Sequence, residues 1–387
     1  MKIGADGHNL EQICGGAAVR YLTSLLRCWR NCDDNFVIYF KERIPQFEEL
    51  DAKNFRLRLP KAWFDIQSRT LFQHFLLPWA ARKDRVEVLF CPYYVSPIFG
   101  CKKIVLTLQD VSYEANSETS RRLSLRQWIF LKINSRLSAR KASAILVPSE
   151  FTRREVAKYY RISPRRIFLI PLGIDGKFKV MLNSKKIEEI KKKYEIKDNF
   201  VLFVGIILNR RHVTELIEAF RLVSARMKGY QLLIIGNNET QPFIDIDGMV
   251  EAINRQGRWV IKRIESLPEQ DLVPIYNAAS LTVYLSDYEG FGLPILESMA
   301  CGTPVITTRS GALPEVAGGA AIYVNDSTNV TEISEALFRG VTDIKLRKAL
   351  IEKGLERIKR FSWRKCAEET MAVMRQVIKN DCKNTQV

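Results

Sequence analysis

The sequence predicts an α/β fold of two domains, each a parallel sheet with helices on both faces. Strand-like apolar runs alternate with helix-like runs from end to end, the pattern produced by parallel strands joined through crossover helices. A chain of 387 residues with 47% hydrophobic content has the length for two ordinary domains and the apolar material for two cores. A charged helical stretch, Ser184 to Lys193, separates two such series of runs. The domains are expected over residues 1–178 and 199–363, with 364–387 as a terminal helix and tail.

In the first domain the expected strands are Lys2–Ala5, Phe36–Phe40, Val86–Phe90, Ile104–Gln109, Ala144–Val147 and Ile167–Ile170. Helices are expected over Gly16–Arg30 and Ser68–Arg82. The second carries Leu71, Phe72, Phe75, Leu76 and Trp79, whose spacings of three and four predict a core-facing stripe. His74 within it reads as a packed or surface histidine. The second domain opens with the apolar run Phe200–Leu208, a buried strand. Helix Val213–Met227, strand Gln231–Ile235, helix Gln241–Asn254, strand Trp259–Ile261 and strand Leu281–Leu285 follow. Strands Pro304–Thr307 and Ala321–Val324 come next, then helices from Thr331 onward.

Composition narrows the function classes. No run of eighteen apolar residues occurs, so no transmembrane helix is expected. Met1–Gly4 begins a strand directly with no apolar signal core, and the expectation is a cytosolic protein. None of the eight cysteines forms a Cys-x-x-Cys pair, which argues against a zinc or redox motif and for reduced thiols. The net charge of +17 speaks to partners. Thr119 to Ser149 holds no acidic residue but carries Arg121, Arg122, Arg126, Lys132, Arg136, Arg140 and Lys141. Two readings stay open for it: a solvated basic face, or peripheral contact with an anionic membrane. Leu125, Trp128, Ile129, Ile133 and Leu137 give the same stretch an apolar stripe, from which the basic residues do not segregate at helical period. No helix-turn-helix, zinc finger or aromatic RNA-binding signature is present, so nucleic acid is not an expected partner.

The chemistry concentrates at Glu289-Gly-Phe-Gly-Leu-Pro-Ile-Leu-Glu297. Pro294 marks a helix start, so the amides of Phe291, Gly292 and Leu293 would lie at a helix N-terminus, where anions bind. Glu289 before it and Glu297 in the expected first turn could each bind the paired hydroxyls of a sugar or ribose. A sugar linked to a nucleotide through a diphosphate would use all three features. The alternative is that Glu297 only complements the helix dipole and the glycines only make a tight turn.

This stretch, with Thr303-Pro-Val-Ile306 and Leu313-Pro-Glu-Val316, resembles the donor-site signature of family 4 retaining glycosyltransferases. Leu106-Thr-Leu-Gln-Asp110, Val147-Pro-Ser-Glu-Phe-Thr152, Ile170-Pro-Leu-Gly-Ile-Asp175 and Phe203-Val-Gly205 are similar to further landmarks of that family, in its order. The resemblance implies two Rossmann-like domains facing a cleft, an acceptor-binding first domain and a donor-binding second one. It also implies that the final helix, which starts near Arg360-Phe-Ser-Trp363, returns to the first domain.

The resemblance assigns roles residue by residue. Glu289 would contact the transferred sugar and Glu297 the nucleotide ribose. Arg210 and Arg211, after Gly205, match the basic positions that neutralise the donor diphosphate, a task suited to guanidinium. Gly16, in Gly15-Gly16, lies where the family's glycine-rich loop approaches phosphate or acceptor. Three positions depart from the pattern. Ile206 and His212 stand where many members carry Arg and Asn. Gln109 stands where many carry a histidine that touches the donor sugar; its amide can hydrogen-bond but cannot titrate.

The implied activity is metal-independent, retaining transfer of a hexose, mannose foremost, from a nucleotide-diphosphate sugar to a glycan or lipid-linked acceptor in surface polysaccharide synthesis. The alternative is a catalytically impaired sugar-nucleotide-binding subunit. No resident cofactor is expected, and Asp245-Ile-Asp247 reads as a surface feature rather than a metal motif. His8 follows the first strand and could approach the cleft.

Overall fold

The computed structural model describes residues 1–11, 17–61, 68–115, 124–255 and 261–384. Gly15 and Gly16, Arg121 and Arg122, and Trp259 lie outside the described residues. The chain divides into two compact units. Of the described residues, one contains those up to Ala115, those from Ser124 to Gly173 and those from Ser362 to Asn384; the other contains those from Ile174 to Phe361.

The first unit holds a seven-stranded, all-parallel sheet in the order β3-β2-β1-β4-β5-β6-β7. Its strands are β1 Lys2–Asp6, β2 Asn35–Tyr39, β3 Phe55–Arg58, β4 Val88–Cys91, β5 Ile104–Thr107, β6 Ala144–Val147 and β7 Ile167–Leu169. The central strands β4, β5 and β6 are buried along their length, as expected of strands covered on both faces. The sequence reading misses β3, which reads Phe-Arg-Leu-Arg and closes one edge. Its alternation of apolar and charged residues suits a half-covered edge strand, and Arg58 pairs with Asp84 at 3.2 Å.

Helix Ala17–Trp29 covers one face together with the terminal helix Trp363–Asn384. The Trp29 indole donates to the Ala367 carbonyl and Arg375 pairs with Asp34 at 2.8 Å, so the last helix belongs to this unit. Gly173 is required at that junction, because a Cβ there would stand 2.0 Å from the Trp363 nitrogen.

A continuous helix occupies Arg69–Leu71, Phe72–Leu76 and Leu77–Lys83, with π-type turns in its middle segment. The expected core stripe divides into two rows. Phe72 and Leu76 are buried, whereas Leu71, Phe75 and Trp79 are exposed, Phe75 by 61% and Trp79 by 52%. Residues spaced by four stay on one row, and the adjacent row sits about 100° around the helix; the spacing pooled two faces into one. His74 is buried on this helix and bonds Asn134 at 2.9 Å. Burial holds its imidazole below the ordinary value, against the pull of that bond.

The second unit holds a six-stranded parallel sheet, β10-β9-β8-β11-β12-β13. Its strands are β8 Asn199–Val204, β9 Tyr230–Ile235, β10 Ile261–Ile264, β11 Leu281–Tyr284, β12 Val305–Thr308 and β13 Ile322–Val324. β10 therefore begins where the sequence reading ends it. The expected helix from Gln241 starts only at Ile246. Thr240 accepts from the Ile244 amide and Asn238 binds Thr240, so side chains hold this segment as a loop.

Candidate functional site

In an open parallel sheet, ligands bind beyond the carboxyl ends of the strands where the strand order reverses. In the second unit that point lies between β8 and β11, whose following loops are Gly205–Arg211 and Leu285–Gly292. Three of the residues singled out from sequence, Arg210, Arg211 and Glu289, meet there. Arg211 Nε donates to Glu289 Oε1 at 2.8 Å, and Arg210 Nε donates to the Tyr288 carbonyl at 3.1 Å. Both members of the Arg211–Glu289 pair are close to nine-tenths buried. Arg211 also donates to the Ile206 carbonyl and lies over the Tyr284 ring, 5.2 Å from its centroid. Ser286 donates to the same Glu289 oxygen at 3.1 Å.

Electrostatics keeps this pair ionised. Burial alone would raise the Glu289 carboxyl, but the Arg211 and Arg210 charges outweigh it and hold it below its usual range. The site thus presents a carboxylate fixed by one guanidinium, with a second guanidinium beside it. A diphosphate is the natural ligand of paired guanidinium groups, and a fixed carboxylate is a hydroxyl acceptor.

Glycines make the geometry fit. Gly205 adopts φ +143°, and a Cβ there would sit 3.0 Å from Arg211 Nη1. Gly311, which the sequence reading passes over, has φ +59°, and a Cβ there would stand 2.8 Å from both the amide nitrogen and the carbonyl oxygen of Glu289. The next residue, Ala312, donates its amide to the Glu289 carbonyl at 3.0 Å. The only signal in the sequence was Gly311 itself, in a loop whose partner is remote in the chain.

The sequence names His212 only as a departure from the family pattern and gives it no role of its own. His212 takes the left-handed φ of +48° between the Asn209–Arg211 turn and helix Val213–Val223. Its Nε2 lies 2.8 Å from Asp287 Oδ2 and its Nδ1 3.2 Å from Glu215 Oε1. Desolvation would lower this imidazole, but the bonds to Asp287 and Glu215 prevail and raise it to about 9. Asp287 also accepts from Ser327 at 2.6 Å and donates its amide to the Arg210 carbonyl at 3.0 Å. The His212–Asp287 pair therefore ties the arginine loop to the Glu289 loop.

Helix Leu293–Ala300 begins after Gly292, with Pro294 in its first turn. The amides of Phe291, Gly292 and Leu293 stand at its N-terminus, where first-turn N–H groups lack intrahelical partners. Glu297 is displaced from its expected place. It is the fifth residue of the helix, beyond the first turn, and only 2% exposed; Tyr276 donates to it at 3.0 Å. The helix starts at Leu293, which carries Glu297 onto the buried side. Asp247 is engaged by Arg263 at 2.5 Å and Asp245 accepts from the Gly248 amide.

In the first unit Gln109 follows β5, and its amide nitrogen is buried without a hydrogen-bond partner. Its neighbour Asp110 accepts from the Tyr94 hydroxyl at 2.8 Å and from the Ser112 amide.

The family model described as Glycosyltransferase Family 4 matches residues 15–178, and the one described as Glycosyl transferases group 1 matches residues 186–357. The chain belongs to the family 4 glycosyltransferases. This glycosyltransferase is 29% identical over 296 residues to the O-antigen chain mannosyltransferase B of Escherichia coli, covering 76% of this chain and 75% of that protein. It is 28% identical over 225 residues to the serotype-specific mannosyltransferase WbdA of Escherichia coli, covering 58% of this chain and only 27% of that longer protein. The fold is shared with Anabaena Alr3699/HepE, solved in complex with UDP-glucose: TM-score 0.73, 14% identity, 97% of this chain and all of that one.

Proposed function

We propose that this glycosyltransferase moves a hexose, mannose foremost, from a nucleotide-diphosphate sugar to a glycan or lipid-linked acceptor of a surface polysaccharide, with retention at the anomeric carbon. The observation that carries the donor reading is the Arg210–Arg211–Glu289 constellation at the β8/β11 switch point. The names of the two mannosyltransferase relatives support the hexose, and the UDP-glucose held by a protein of the same fold supports the class of donor.

In this reading Arg210 and Arg211 take the charge that grows on the leaving diphosphate, where stabilisation lowers the barrier. Glu289 fixes sugar hydroxyls. The bond from the anomeric carbon to the diphosphate oxygen breaks as the bond to the acceptor oxygen forms on the same face. The acceptor proton passes to the diphosphate, so no protein base is consumed. Glu297 holds the nucleotide ribose only if the Tyr276 contact yields to it. No metal is assigned to any step.

Membrane-proximal action is part of the proposal. Phe75 and Trp79 on one helix, and Phe130 and Ile133 on helix Leu125–Lys141, are exposed, and the His74–Asn134 contact joins the two helices. Glu114 binds Lys132 and Arg136, so the basic stretch is partly neutralised and the apolar side chains carry more of the contact. No helix among the described residues is long and apolar enough to cross a membrane.

The test is a thermal-shift panel of GDP, UDP, dTDP and ADP on wild type and Arg211→Ala. Stabilisation by one nucleotide that the variant loses supports the donor site; turnover with the matched sugar, with the product anomer read by NMR, then tests retention. No response to any nucleotide would sink the reading. For the membrane, sedimentation with anionic vesicles should bring down wild type but not Phe75→Glu/Trp79→Glu.

A further inference from the structure

A cavity of about 530 Å³ opens in the first unit at the amino ends of β4 and β5. Val86, Glu87 and Leu89 line it where β4 begins, and the segment Gly100 to Lys103 lines it just before β5. The carboxyl ends, where ligands of an open parallel sheet bind, lie at the other end of strands about 13 Å long. The cavity is therefore remote from that edge of the same sheet.

Its wall is cationic. Arg82, Lys102, Lys103 and Lys141 face it with Glu87 as the one carboxylate among the described residues. Glu87 is engaged by the start of the chain, where it accepts from the Lys2 amide at 2.9 Å. Lys103 Nζ donates to the Ile378 carbonyl at 3.1 Å. Among the described residues, Arg82, Lys102 and Lys141 pair with no carboxylate.

Arg82 and Lys141 stand in the last turns of helices Leu77–Lys83 and Leu125–Lys141, where basic side chains ordinarily serve the terminal carbonyls. Here other groups do so. The carbonyls of Ala80, Ala81 and Arg82 accept from the Asp84, Val86 and Arg85 amides. Ser138 accepts from the Ala142 amide, and Arg166 donates to the carbonyls of Ala139, Arg140 and Ala142. Both helix ends are satisfied, and the two cations remain at the cavity. They converge on its Cys101 sulfur: burial pushes that thiol up to about 11, while the Lys141 and Arg82 charges pull it down.

We propose that this cavity binds a ligand carrying a phosphomonoester or diphosphate group, with Arg82, Lys102 and Lys141 on the phosphate oxygens and the organic part against Ala81, Val86 and Leu89. Guanidinium meets phosphate through paired N–H bonds and lysine meets it as a point charge. Three converging cations suit a multiply charged anion, and a neutral sugar would leave them unanswered. The volume is that of a small-molecule pocket. A ligand here takes no part in the transfer chemistry, so the site stands or falls apart from the donor reading.

The probe is pyrophosphate, titrated calorimetrically into full-length Arg211→Ala so that the proposed donor site does not contribute. Saturable, single-site binding is expected. Adding Lys102→Ala and Lys141→Ala should weaken it about tenfold or more, since each substitution removes a charge-assisted bond. Removing Lys345 and Lys348 instead, two exposed lysines of the other unit, should change nothing. An unaltered melting temperature without ligand is the fold control for every variant. Sedimentation with phosphatidylcholine vesicles containing phosphatidic acid separates the sources of the phosphate. If pyrophosphate does not bind, but the vesicles bring down Arg211→Ala and not the protein that also lacks Lys102 and Lys141, the group belongs to a lipid headgroup. Pyrophosphate and vesicle responses that are both absent, or both indifferent to Lys102 and Lys141, overturn the proposal and leave these side chains to solvent.

Discussion

Two switch points with the same topology carry different side chains. At β8/β11 the loops bring together arginines, a carboxylate and a clamp of His212 with Asp287. At β1/β4 the loops present a histidine already held by its own aspartate, and an amide whose donor end is unused. The first arrangement gathers charged groups, and the second leaves buried polar atoms of His8 and Asn9 without partners. Strand order decides where a ligand binds, and the loop residues decide which ligand it is.

The comparison breaks most easily at Arg211. Arg211→Ala should lower transfer by about 10²–10³-fold, the order seen when one preorganised stabiliser of transition-state charge is lost; steady-state kinetics with the matched donor checks it. Arg211→Lys should recover part, since charge survives but the bidentate geometry does not. Glu289→Gln sharpens the division within the site. It should cut transfer on the order of a hundredfold yet leave nucleotide stabilisation in thermal shift, because the sugar contact goes while the phosphate contact stays.

The clamp predicts a pH signature. The folded His212 value of about 9 exceeds its ordinary 6.5. A raised value means the folded state binds the extra proton, so this stability is fully present below pH 6.5 and is lost as pH rises through 9. The loss is up to about 3 kcal/mol, shared with Asp287 and Glu215. Urea melts across that window should show the decline in wild type and a flatter profile in His212→Asn. Gly311→Ala should cost about 1–3 kcal/mol through left-handed strain and the clash with the Glu289 backbone, read as a lower urea midpoint. The smallest effect is expected in the other unit: Asp6→Asn should leave the nucleotide-induced thermal shift unchanged.

Much of this was legible in the chain. Alternating runs of Phe200–Leu208 and Leu281–Leu285 type mark buried parallel strands because burial on both faces leaves no polar alternation to confuse them. Glu289 stands out at a Gly-rich corner before a helix start, and Arg210 and Arg211 stand out through the family resemblance of the loop after Gly205. Errors fell where one dimension could not separate two faces. Leu71, Phe75 and Trp79 share the helical period of the core row, and no sequence rule says which row meets the sheet.

The sequence by itself determined the fold class, the family and the identity of the charged residues at the second switch point. These depend on local pattern and side-chain chemistry, which the chain carries at every position. Only the tertiary structure decided that Arg211 fastens on Glu289, that Gly311 clears space for it and that Glu297 turns inward on Tyr276. It also decided that His212 becomes a clamp and that His8 and Asn9 keep buried groups without partners. Each of these depends on residues brought close by strand order across long stretches of chain, and such distances appear only once the sheets have formed.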